Sequence, residues 1–396
     1  MKKTGCKFAG VAAIAMFISC SGGVKEPGFK KIILSDKFYA EGSTSGDFNR
    51  DGKPDVVAGP YWYAGPAFTE KHEIYPVEAF DPEEYSDNFI VFAADLNGDG
   101  WDDVFVCPHP GTKSYWYENP KVSGVHWTKH FALDQFGNES QQWTEIIKGQ
   151  GAGPLYNMDG KLGYATFAVI DGLPDWTFHQ ISTENERYQR YTHGIGAGDL
   201  NSDGLTDILE AAGWWEQPKE TDKTPWTFHP FQFADAASNM LVFDVDGDNR
   251  NDVVCAWHCH LYGLVWWKQI QKDGQISFEK NEILPINPKE KPDALSFSQM
   301  HALAQADFNG DGLTDFVTGK RFWAHGSKGD VEANNPAVLY WFELNRNSDG
   351  SATFIPHKID DNSGVGMQVS VAELNGDKTP DIIVSNKKGT FLFLSE

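Results

Sequence analysis

The chain has 396 residues, and 56 Asp and Glu against 33 Lys and Arg leave a net charge of −23 at neutral pH. Without a basic stripe to oppose phosphate repulsion, that balance excludes a nucleic-acid partner. Beyond the first twenty residues, Cys107, Cys255 and Cys259 are an odd number, so no disulfide framework is indicated.

The N-terminus carries Lys2 and Lys3, an apolar run from Phe8 to Ile18, and then Ser19-Cys20-Ser21-Gly22-Gly23. This order of basic, apolar and small residues reads as a secretory leader. It resembles a bacterial lipoprotein signal, with Phe17 where the family usually has Leu three residues before the modified cysteine. Residues 1–19 are therefore expected to be a signal peptide, Cys20 the lipidation site and 20–28 a tether. The remainder, 29–396, reads as a single domain held in the cell envelope, on the periplasmic face or the cell surface, by its lipid alone.

Phe29-Lys30-Lys31-Ile32-Ile33-Leu34 opens that domain as a strand, and a nine-residue pattern, acidic-x-Asn/Asp-x-Asp-x-x-x-Asp, then occurs six times. Its polar positions are Asp47, Asn49, Asp51 and Asp55; Asp95, Asn97, Asp99 and Asp103; Asp199, Asn201, Asp203 and Asp207; Asp244, Asp246, Asp248 and Asp252; Asp307, Asn309, Asp311 and Asp315; and Glu373, Asn375, Asp377 and Asp381. Alternating carboxylate and amide oxygens suit calcium, a hard cation that takes six to eight oxygen ligands. An EF-hand is excluded, because no Glu follows at the twelfth position and the flanks are short β-type runs such as Val56-Val57-Ala58. Four of the six loops place Gly after the third acidic position, where the backbone must turn sharply.

The loops start 48, 104, 45, 63 and 66 residues apart, and the doubled interval implies a unit without a loop, about 141–182, where only Asn157-Met158-Asp159-Gly160 echoes the pattern. A second recurring motif, Trp127-Thr128-Lys129-His130, Trp176-Thr177-Phe178-His179 and Trp226-Thr227-Phe228-His229, marks outer strands and assigns His130, His179, His229 and, in a looser copy, His357 to packing. The expected fold is all-β: a seven-bladed β-propeller with calcium-binding loops. Its ring closes by pairing the N-terminal strand with Thr390-Phe391-Leu392-Phe393-Leu394 of the last blade, which removes an open sheet edge.

The loops resemble the FG-GAP/VCBS repeat family, the calcium-loop propeller repeats also seen in integrin α subunits, over essentially all of the mature chain. The resemblance implies up to six structural calcium ions, bound more weakly where Glu373 and Lys378 depart from the pattern.

Equivalent positions in a repeat occupy equivalent places around a ring. Six residues before each loop stand Glu41, Phe89, His193, Ser238, His301 and Met367; six after stand Tyr61, His109, Gly213, His258, Arg321 and Lys387. Antiparallel strands bring both sets to the rim opposite the loops. His193, His301, His109, His258, Arg321, Tyr61 and Lys387 are thus the candidate catalytic residues, with His260 and His325 nearby. Trp62, Phe322 and Trp323 are candidates for stacking on a sugar ring. Two chemistries follow. His193 and His301 could act as base and acid in β-elimination or dehydration of a carbohydrate, with Tyr61 as an alternate donor and Arg321 or Lys387 holding the developing charge. Alternatively, His109, His193, His258 and His301 could hold zinc or another transition metal. The run Ser298-Gln299-Met300-His301 resembles the propeller domain of aldos-2-ulose dehydratases, whose cupin domains have no counterpart here. A non-catalytic propeller that binds glycan or protein, like a lectin or adhesin, is the competing expectation.

Overall fold

Short β-branched and aromatic runs punctuated by Gly, Asp and Asn fold into strands almost throughout. The computed structural model describes Met1, residues 27–221 and residues 223–396, so the expected leader and Cys20 lie outside the described residues. Helix is confined to Gly326–Gly329 and a 3-10 turn at Pro288–Glu290 among the described residues. No helix among them is long and apolar enough to cross a membrane.

Five four-stranded antiparallel sheets stand alone and eight further strands form one continuous sheet, which corrects the expected count of seven separate blades. The eight-stranded sheet runs from β17 (Thr227–Pro230) through β14 (Ile195–Gly198) and β18 (Asn239–Phe243) to β21 (Gln275–Leu284). Its two halves join because β14 and β18 pair in parallel at Ile195↔Asn239 and Gly196↔Met240. Gly196 permits that approach: a Cβ there would meet the Met240 carbonyl oxygen at 2.4 Å. Elsewhere β1 (Phe29–Ser35) pairs antiparallel with β28 (Gly389–Ser395), Lys30 opposite Leu394 and Ile32 opposite Leu392, so the two ends of the domain share a sheet.

Strands β6 (Ile90–Ala94), β10 (Gly137–Thr144), β14, β18, β22 (Leu303–Ala306) and β26 (Val369–Ala372) line one central cavity of about 350 Å³. The second strands, such as β7 (Asp103–Cys107), β19 (Asp252–Ala256) and β27 (Asp381–Asn386), are buried at every residue, since neighbouring sheets cover both faces. Outer strands such as β13 (Leu173–Gln180) and β25 (Ala352–Asp360) alternate between covered and exposed residues over most of their length.

The outer-strand histidines are packing elements, as expected. Trp62 stacks on His72, Trp116 on His130, Tyr164 on His179, Trp214 on His229 and Trp341 on His357, with ring centroids 4.1–4.7 Å apart and planes within 19°. The imidazole nitrogens are anchored as well: His130 on Glu118 at 2.9 Å, His229 on Glu216 and His357 on Glu343 at 2.8 Å, His179 on Thr166 at 2.7 Å. Burying a Trp or Tyr side chain such as those beneath these imidazoles removes about 150–250 Å² from water, roughly 4–6 kcal/mol before entropy is subtracted.

The loopless sheet is β10, β11 (Gly153–Met158), β12 (Lys161–Ile170) and β13, and it begins four residues earlier than expected. Asn157-Met158-Asp159-Gly160 belongs to the hairpin between β11 and β12, where Asp159 and Gly160 have φ of 49° and 71°. The calcium-loop place in that sheet is taken by residues 145–152, held by Glu145 Oε1 accepting from Gly149 and Gly151 N–H.

Candidate functional site

The loops and the histidines lie at opposite ends of the innermost strands, and they are built on different logic. In every loop the ninth residue, Asp55, Asp103, Asp207, Asp252, Asp315 or Asp381, is fully buried and accepts at least two backbone N–H groups. One donor is the loop's second residue, always a buried apolar side chain: Phe48, Leu96, Leu200, Val245, Phe308 or Leu374. The other lies in the third strand or just beyond it, as at Leu344 and Gln217. Each aspartate therefore ties loop to sheet. Burial raises these carboxyls above 3.8, to about 6 at Asp55, Asp252 and Asp381 and about 7 at Asp103, Asp207 and Asp315.

The first acidic residue orients the turn, Asp199 accepting from Asp203 and Gly204 N–H at 3.0 and 2.9 Å. Glu373, one methylene longer, instead takes the amides of Asn375 and Gly376. Oxygen-only donors fit calcium. In one loop, Asp244, Asp246 and Asp252 bring carboxylate oxygens within 4.8 Å of one another, and Lys268 already contacts Asp246 there.

At the other rim a cavity of about 410 Å³ is lined by Tyr85, Phe89, His109, Glu139, Tyr191, His193, His260, Arg321 and His325. Arg321 is 2% exposed, and its Nη2 stands 3.0 Å from Oε2 of the equally buried Glu41. The His109 ring sits among Tyr85, Phe89 and Tyr191, with centroids 5.3–5.5 Å away. Lys387 Nζ lies 4.9 Å from the Tyr85 ring, and burial lowers its pKa.

His193, His260 and His301 meet edge to face, centroids 4.7–5.7 Å apart. His301 is 1% exposed and buried beneath the cavity wall; burial, then Arg321, holds its pKa well below 6.5. Burial and the neighbouring His193 take His260 down to about 3. For His193 burial works in the same direction, yet the Cys259 sulfur and the Glu139 carboxylate, 3.3 Å from Nε2, outweigh it and raise the pKa.

Not every rim residue expected from register reaches this cavity. Tyr61 packs between Tyr39 and Tyr63 under the Lys71 ammonium. His258 turns Nδ1 toward the His260 amide, 3.3 Å away, so it does not join His193 and His301. Trp62 is covered by His72, while Phe322 and Trp323 stack on each other, with Lys388 over the former and Trp323 Nε1 donating to Asn334. In their place stand Glu139, Cys259, His260, Tyr85 and the pair His325–Asp330, whose Nδ1 and Oδ1 are 2.7 Å apart.

The FG-GAP-like repeat family matches residues 244–318 and 307–384. Residues 244–384 carry FG-GAP-like repeats. The apolar second residue and the buried ninth aspartate recur in all six loops, including the three, at Asp47, Asp95 and Asp199, outside the matched segments. No curated protein matches the chain in sequence. Among 246 matching chains of solved structures is a rhamnogalacturonan lyase crystal structure, 12% identical, with a TM-score of 0.46 over 92% of this chain and 75% of the other.

Glu139 was missed by counting from the acidic loops because its sheet has none. Cys259 and His260 follow the sixth-position residue by one and two, in a turn where strand alternation no longer applies.

Proposed function

We propose that this FG-GAP-like propeller acts on a carbohydrate bearing a carboxylate or ketone, by lyase- or dehydratase-type β-elimination in the cavity opposite the acidic loops. The observation that carries this reading is the combination of one buried guanidinium, Arg321, with aromatic walls from Tyr85, Phe89 and Tyr191 and the imidazoles of His109 and His193. Aromatic faces suit the C–H faces of a sugar ring, and Arg321 with Lys387 suits its anionic oxygens. In the reaction a base removes the proton beside the carboxylate or ketone, the β C–O bond breaks, a C=C bond forms and the leaving oxygen takes a proton. His109, reached from the cavity, is assigned the proton transfer, and Arg321 the enolate-like charge. His301 is set aside as the acid, since its ring is buried and does not line the cavity.

Calcium in the acidic loops is proposed as a structural cofactor, and a lipidated Cys20 as the anchor to the cell envelope. The aromatic walls also serve a second reading, glycan binding without chemistry. Incubation with uronic-acid polysaccharides and keto-sugars separates the two: elimination creates a conjugated double bond that absorbs in the ultraviolet. New absorbance that is lost in His109→Ala supports the enzyme. Glycan-array binding with no absorbance change on any substrate would leave the binding module.

A further inference from the structure

The outer-strand histidines supply an internal standard for a packing role. Each of those rings lies flat on an indole or phenol, and His130, His179, His229 and His357 each bond a glutamate or threonine through Nε2. The inner cluster differs on both counts. His193, His260 and His301 present edges to one another at 67–78°, and both nitrogens of His301 and Nδ1 of His260 have no hydrogen-bond partner, while Nε2 of His193 has the Glu139 carboxylate 3.3 Å away. Leaving a buried polar atom unsatisfied costs about 1–3 kcal/mol. One such atom from each of several adjoining rings is explained by a ligand that satisfies them together.

We propose that His193, Cys259, His260 and His301 bind one divalent d-block cation of the zinc class beneath the cavity. Their donor atoms all lie within 4.8 Å of one another. Bonds of about 2.0–2.3 Å in a tetrahedron separate ligand atoms by roughly 3.3–3.7 Å, so a small contraction completes the site. Imidazole and thiolate select zinc, cobalt or nickel over calcium and magnesium, which take oxygen. The surroundings are arranged as around a bound metal. His193 Nδ1 lies 2.9 Å from the Tyr191 carbonyl, so it carries the proton and leaves Nε2 as the donor, with the Glu139 carboxylate beside it. His193 and His260 line the cavity, whereas Cys259 and His301 are sealed behind it, so the cation has one face toward the space beside Arg321. This set replaces the register-based set: it keeps His193 and His301 and exchanges His109 and His258 for Cys259 and His260.

Metal retention is measured without any sugar, so its outcome is independent of the elimination reading. The full chain, kept in excess calcium so that the oxygen loops stay filled, is loaded with zinc or cobalt(II), desalted and submitted to elemental analysis and absorption spectroscopy. One retained equivalent is expected, with a thiolate-to-cobalt charge-transfer band. Cys259→Ser should abolish the band and His260→Gln should weaken affinity at least about 100-fold, while His258→Gln changes neither; near-ultraviolet circular dichroism confirms that each variant is folded. Failure of the wild-type chain to retain an equivalent, a cobalt spectrum without the thiolate band, or full retention in folded Cys259→Ser and His260→Gln would each overturn the assignment.

Discussion

The two rims of this propeller are joined by the same innermost strands, yet one repeats and the other does not. At the loop rim every blade with a loop solves the same problem in the same way: an apolar second residue plugs the sheet and a buried aspartate holds two amides. At the histidine rim the blades contribute different groups, Glu41 and Arg321, Glu139, His193, Cys259 with His260, and His301, and these meet in one place. Repetition is what a stacked fold requires of each unit, since each must bury the same faces. Departure from repetition at converging positions is what a site requires, because a ligand presents different atoms in different directions.

If the Arg321–Glu41 pair belongs to the irregular rim for function, its removal should harm the ligand more than the fold. The largest effect comes from Arg321→Met, expected to cost about 3–5 kcal/mol in denaturant unfolding because Glu41 is left buried and unpaired. Arg321→Met with Glu41→Met should recover most of that stability while substrate turnover stays lost; a double variant as unstable as the single would make the pair structural and weaken the contrast.

The loop rim is probed by calcium and pH together. In calcium-free protein the closing aspartates have folded pKa values of about 6 or 7, above 3.8. Folding then takes up protons, so their stabilisation is present below the ordinary carboxylate range and lost as pH rises through about 6–7. The melting temperature of chelated protein should therefore fall between about pH 5 and pH 8, and saturating calcium should remove that fall. The same slope with and without calcium would show that no cation sits among these carboxylates.

The smallest effect tests a single loop. Lys378 holds φ of 72° where four other loops have Gly. Lys378→Gly should stabilise the protein by about 0.5–1 kcal/mol in thermal unfolding, because the left-handed conformation no longer strains a Cβ. Gly52→Ala, at φ of 79°, should lose stability instead.

Much of this was legible in the chain. The spacing of the loops located the innermost strands and the unit without a loop, and the recurring Trp-Thr-x-His motif located the outer-strand histidines. It also brought Glu41, Phe89, His109, His193, His301 and Arg321 to the rim opposite the loops, where they are found. The apolar residue at the second loop position was equally visible as a repeat, although its partnership with the ninth aspartate is a matter of hydrogen bonding. Glu139 was not legible by the same count, because register can be carried only through sheets that own a loop. Nor was the exchange of His258 for Cys259 and His260: beyond a strand end, a turn decides which side chain points inward, and period-two alternation stops. Local pattern by itself determined the strands, the loops and their order, since those depend on neighbours in the chain. Which donors share a site was decided only in the tertiary structure. Cys259 and His301 are 42 positions apart, and only the packing of one sheet against the next places their donor atoms within a metal's reach.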